Sequence, residues 1–153
     1  MTNTDIEEII RENICKSLHL SLATVSENGP WVCEVHFAYD DNLRIYFRSK
    51  QSRRHSKEIK ADSRVAGNIV RQHGLDDPVL GVYFEGEAKR LENVTESHPA
   101  YVSMKSRLGL KIEAIKDASQ PDGHSFYEII VSNWYVFGRF GADHGQKLKL
   151  EWN

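Results

Sequence analysis

Residues 43–59 read LRIYFRSKQSRRHSKEI, and the fold turns on how they are read. Leu43 to Ser49 alternates apolar and polar side chains with the period of two that a β-strand imposes. A basic turn follows, and then a helix start. Ser52 suits the N-cap position, which places Arg53, Arg54 and His55 in the first helical turn. Cations are misplaced there, because a helix N-terminus favours negative charge by about 0.3–1 kcal/mol per group. A bound phosphate would reverse that penalty, taking free N–H donors and charge-assisted bonds from the guanidinium groups. Breaches of local rules often mark functional sites, but a solvated basic turn with no ligand has the same sequence. The flanking chain has to choose between the two.

Upstream, HLSLATVS (residues 19–26) sets Leu20, Leu22 and Thr24 on one face and Ser21, Ala23 and Val25 on the other, the pattern of a second strand. After a turn at Glu27–Pro30, WVCEVHFAY alternates Trp31, Cys33, Val35 and Phe37 against Val32, Glu34 and His36. Before these strands, Thr4 or Asp5 can cap a helix over about residues 4–18, with Ile6, Ile9, Ile10, Ile14 and Leu18 in one apolar stripe. Downstream, RVAGNIV (64–70) resumes strand character. The long run VLGVYFEGEAKRL (79–91) carries Gly81 and Gly86, which suit bulges or sharp bends. A helix is expected from Thr95 through Arg107, and Lys111 to Ser119 is open between helix and loop. Strands are expected over Ser125–Val131, over Asn133–Phe140 and in the terminal KLKLEW. A single mainly antiparallel barrel over residues 1–153, flanked by a few helices, accounts for this order.

With 20 basic and 22 acidic residues the net charge is -2, so whole-molecule attraction to nucleic acid is not expected and any basic site must be local. Two cysteines, Cys15 and Cys33, make no disulfide framework; a reduced, cytoplasmic protein is the expectation. The acidic, amphipathic N-terminal segment does not read as an export signal, and no apolar run approaches the ~18 residues of a membrane span.

Cys33 and His36 are spaced Cys-x-x-His, yet residues three apart on a strand point to opposite faces, and the other histidines show no ligand spacing. No metal site is expected. No Gly-x-Ser-x-Gly, His-Glu-x-x-His or Walker-type loop is present. Glu34 and His36 share a strand face, open either to solvent or to a ligand. Tyr101 and Lys105 lie four apart, hence on one helix face, within reach of an anionic or aromatic ligand if the helix presents them. Trp134, Tyr135, Phe137 and Phe140 read first as core, although one ring beside a flat ligand would look the same.

Taken together, the segments LATVSENGPWVCEVHFAYDDNLRIYFRSKQSRRHSKEIKADSRVAGNIV and GVYFEGEAKRL resemble the flavin mononucleotide (FMN)-binding split-barrel superfamily typified by pyridoxamine 5′-phosphate oxidase, over about Leu18 to Phe140. The resemblance implies a mainly β fold: a six-stranded antiparallel split barrel of Greek-key type with flanking α-helices. It implies FMN as cofactor, with the phosphate held after the strand Ile45-Tyr46-Phe47 by Arg48, Ser49, Ser52, Arg53 and Arg54. The flavin ring would then lie along Val32, Glu34, Val35 and His36, near Phe47. It further implies a homodimer with flavin at the interface, the pocket completed by second-subunit residues such as Trp134 or Phe140. Tyr101 and Lys105 fall roughly where the oxidase holds its substrate phosphate. The chain departs from the oxidase at Arg48, where a small hydroxyl residue is usual, at Arg54, where a lysine is usual, and at its end, GADHGQKLKLEWN. The implied function is therefore an FMN-dependent oxidoreductase acting on an unspecified small molecule, with NAD(P)H a candidate reductant and no membrane or nucleic-acid partner. The alternative is a non-enzymatic flavin or haem carrier or sensor, with His36 or His144 a candidate iron ligand. No catalytic side chain is assigned, since hydride transfer at a flavin requires no particular acid.

Overall fold

The computed structural model describes residues 1–142 and 144–152. The chain opens with α1 (Asn3–Ile14), capped by Thr2 rather than by Thr4 or Asp5. The Thr2 hydroxyl accepts from the Asp5 backbone N–H while Asp5 reaches back to the Thr2 N–H, a reciprocal capping box. Its stripe buries Ile6, Ile10 and Ile14 against the barrel, whereas Leu18, past the helix end, is 55% exposed. Each fully buried side chain of this kind contributes about 1.5–3 kcal/mol.

Eight strands join in one antiparallel sheet, two more than the six expected: β1 (His19–Ser26), β2 (Gly29–His36), β3 (Ala38–Tyr39), β4 (Ile45–Lys50), β5 (Arg64–Ile69), β6 (Gly81–Leu91), β7 (His124–Gly138) and β8 (Gln146–Leu150). The surplus has two sources. The run WVCEVHFAY breaks at Phe37 into β2 and β3, and the terminal KLKLEW, expected as a strand, adds β8 beyond those six. The two strands expected over 125–140 are a single long β7. One of its edges takes β6 along nearly its whole length; the other takes β4 with its first half and β8 with its second.

The strand order β2-β1-β5-β6-β7-β4-β3 curls until β2 comes against β4 without pairing to it. The bend is helped by a register shift between Glu85 and Gly86, where β7 carries the unpaired residue Ser132 and the Ser132 hydroxyl donates to the Glu85 carbonyl. Gly86 is required there, because a Cβ would collide with the Ile130 carbonyl oxygen. The fold is thus a mainly β split barrel with its helices outside.

Inside the barrel, Leu20, Leu22, Phe37, Ile45, Phe47, Phe84, Tyr127 and Trp134 pack with the α1 stripe. A second cluster lies on the other face of β4, where Tyr46 and Phe126 pack beneath α3 (Pro99–Leu108) and α4 (Glu113–Ala118). Strand alternation explains the division, since Ile45 and Phe47 face inward and Tyr46 faces the helices. The Tyr46 hydroxyl donates to Asp40 at 2.8 Å, and burial together with that carboxylate pushes its phenol far above the ordinary tyrosine value. The remaining helix, α2 (Arg54–Ala61), follows β4 across the basic turn. Among the described residues no helix is long and apolar enough to cross a membrane.

Candidate functional site

The barrel's split is a groove of about 720 Å³ between β2 and β4, roofed by α3. Its walls follow from topology. β2 ends the sheet, so the backbone N–H and C=O groups on its outer edge have no strand partner. β3 pairs with β4 only at Ile45 and Tyr46, which leaves the same edge of β4 free from Phe47 to Lys50. Buried ladder groups are normally paired, and two free edges facing each other make a slot lined by donors and acceptors.

Six of the residues singled out from the sequence line this slot: Glu34, Val35, His36, Arg48, Ser49 and Arg53. The others lie elsewhere. Phe47 and Trp134 are fully buried in the barrel core; Phe47 stacks on Tyr127 and Trp134 packs against Phe84. Neither ring reaches the groove, and Trp134 has no surface to offer a second subunit. Tyr101, 3% exposed, packs in the cluster under α3, while Lys105 is exposed outside the groove; α3 presents Met104, Arg107 and Leu108 instead. Val32 is 59% exposed farther along β2, and His144 is exposed between β7 and β8. Cys33 packs against the core and His36 is exposed, on opposite faces as strand geometry requires.

Three of the expected phosphate ligands are committed to other partners. Ser52 is not the N-cap: Arg53 holds that position without a side-chain cap bond, because the Ser52 hydroxyl donates to Asp122 at 2.9 Å. Arg54 donates through Nε to Glu58 at 2.6 Å and lies over the Trp31 ring. Glu58 also accepts from Thr24 at 2.6 Å, and these two bonds hold its carboxyl below the usual range. Arg48 falls on the helix-facing side of β4, where its Nη2 donates to Asp117 at 2.8 Å and to the His124 carbonyl at 3.1 Å. Its guanidinium lies over Phe126, and burial lowers its pKa against the pull of Asp117.

His55, read from sequence as a first-turn cation but not assigned as a ligand, completes this end of the groove. Its Nε2 shares a hydrogen bond of 2.7 Å with the Ser49 hydroxyl, and burial first, then the neighbouring Arg53 charge, lowers its pKa below the ordinary 6.5. Its i+6 spacing from Ser49 across a tight turn was the available signal. Arg53 has no carboxylate partner among the described residues, and Lys50 stands 3.7 Å from Asp122. Arg107 ties α3 to the barrel by donating to the carbonyls of Ile14 and Phe37 at 3.0 Å each. On the β2 wall, Glu34 accepts from Ser21, and His36 lies against His19 with ring centroids 4.3 Å apart.

A slot with free backbone edges and an uncapped, cationic helix start at one end belongs to a split β-barrel. The family model for pyridoxamine 5′-phosphate oxidase matches residues 6–138, and the chain belongs to that family. No curated protein matches it. Among solved structures, a conserved hypothetical protein from Mycobacterium tuberculosis is 23% identical with a TM-score of 0.70, the alignment covering 92% of each chain. HutZ, a haem storage protein from Vibrio cholerae, is 19% identical with a TM-score of 0.67, covering 91% of this chain and 99% of its own. A FAD-binding protein from Mesorhizobium loti is 16% identical with a TM-score of 0.66, covering 85% and 90%. At these identities the likeness is one of fold.

Proposed function

We propose that the groove binds FMN and that the protein is a flavin-dependent oxidoreductase acting on a small organic molecule. The observation that carries this reading is the meeting of two unpaired strand edges with a helix start that has no cap of its own. Ser49, Arg53 and His55 would hold the phosphate together with the first-turn N–H groups of α2. The free edge of β2 from Glu34 to His36 would take the polar rim of the ring. When bound, the flavin supplies hydride acceptance and donation; the chain's own part is to orient it and keep Arg53 uncommitted. In a homodimer a second copy would close the open side of the groove, and the exposed Trp31 and Val32 on β2 suit such a contact.

Titration with FMN and with riboflavin, followed by flavin absorbance and fluorescence, tests the assignment. Saturable binding of FMN and much weaker binding of riboflavin, which lacks the phosphate, is the expected result. Equal binding of the two removes the phosphate site.

A second reading, a haem carrier, is favoured by His36 at the groove wall with His19 packed behind it. It predicts a Soret band on addition of hemin that is lost in His36→Ala, with no saturable flavin binding.

A further inference from the structure

A separate cavity of about 590 Å³ lies between α2 and the β6–β7 ribbon and shares no lining residue with the groove. Lys57 and Lys60, three apart on α2 and so on one side of it, line it from above. Lys89 and Arg90 of β6 line it from the sheet, and no carboxylate does so. The charge is only partly compensated from outside. Arg90 is held by Glu92 at 2.6 Å, and Lys89 stands 3.9 Å from Glu128. Lys57 and Lys60 have no ion-pair partner among the described residues.

The cavity also has a floor and an orphan. Ile59, Ala88 and Tyr127 border it with apolar surface. Ser56, which borders it too, is 3% exposed, and its hydroxyl has no hydrogen-bond partner among the described residues. Buried hydroxyls are normally satisfied, and an acceptor oxygen brought in by a ligand would satisfy this one. Cations on both walls, an apolar floor and an unpaired donor at its border match one chemistry.

We propose that this cavity is a second anion site, for a phosphorylated organic molecule whose phosphate is held by Lys57, Lys60 and Ser56 and whose apolar part rests on Ile59, Ala88 and Tyr127. It is independent of the flavin groove.

Calorimetric titration at low salt with adenosine 5′-monophosphate, inorganic pyrophosphate and adenosine tests it. The monophosphate should bind, pyrophosphate should compete with it more weakly, and adenosine should not bind detectably. Lys57→Glu combined with Lys60→Glu should weaken the monophosphate by at least about tenfold, the scale of one lost charge-assisted bond. FMN affinity and the thermal midpoint should be unchanged, since both lysines are exposed. Ser56→Ala should weaken the monophosphate without lowering the midpoint. Failure of both phosphates to bind, unchanged affinity in the double variant, or displacement of the monophosphate by one equivalent of FMN would each overturn the proposal. Binding of FMN alone, with none of the others, would leave the flavin reading standing and remove this one.

Discussion

Arg53 and Arg54 are neighbours in sequence and opposites in the fold. Arg54 lies on the barrel side of the turn, bonded to the buried Glu58 and stacked on Trp31. Arg53 lies on the groove side with no carboxylate partner among the described residues. Arg48 is likewise committed on β4, anchoring α4 through the half-exposed Asp117. The number of cations in a basic turn therefore does not measure its capacity to bind an anion. A guanidinium already paired with a buried carboxylate would have to break that pair first, leaving an uncompensated charge.

The largest effect expected from this comparison is in stability. Arg48→Ala removes two hydrogen bonds made by a half-buried guanidinium, to Asp117 and the His124 carbonyl, and its packing on Phe126, and should cost about 2–3 kcal/mol in urea unfolding, with FMN affinity little changed. A large loss of affinity with intact stability would return Arg48 to the phosphate. Arg54→Ala should also lower the unfolding midpoint, because it takes one partner from the buried Glu58 carboxylate, and again spare affinity. Arg53→Ala should do the reverse: about tenfold weaker FMN binding, or about 1.4 kcal/mol, with the midpoint held. If Arg53 and Arg54 variants behave alike in both measurements, the distinction between them is wrong.

The smallest effect concerns His55. Its pKa is lowered by folding, so below the ordinary 6.5 the unfolded chain binds more protons than the native one. The stability that neutral His55 contributes is therefore present above that value and lost as pH falls through the folded pKa. Thermal midpoints followed from about pH 7 to about pH 5 should decline, and His55→Gln should flatten part of the decline. Identical pH profiles for the two proteins would remove His55 as the titrating group.

The elements were largely legible because burial in a barrel enforces alternation. Leu20, Leu22 and Thr24 are buried as their spacing implies, and RVAGNIV forms β5 over Arg64–Ile69. Lys111–Ser119, undecided by periodicity, holds the short α4 because Ala114 packs under it. What local patterns could not supply were decisions made by distant residues. Ser52 has the chemistry of a cap, but Asp122, seventy positions later, takes its hydroxyl. The break of 29–39 into two strands was equally hidden, since it depends on Phe37 turning into the core. In the site, strand parity could have warned that Arg48 faces away from Ser49. Nothing local separates Arg53 from Arg54, because the difference is Glu58 accepting from one of them.

The strand order also governs when the site comes into being. β4 is made early, yet its full-length partner β7 lies about eighty residues later in the chain. Until synthesis has passed the middle of β7, β4 has only the two-residue β3 beside it, and the wall that carries Ser49 and leads to Arg53 has nothing to hold it opposite β2. Pairings this far apart in sequence are slow to form. A nascent chain therefore has its basic turn well before it has a groove, and the groove belongs to the last stage of folding.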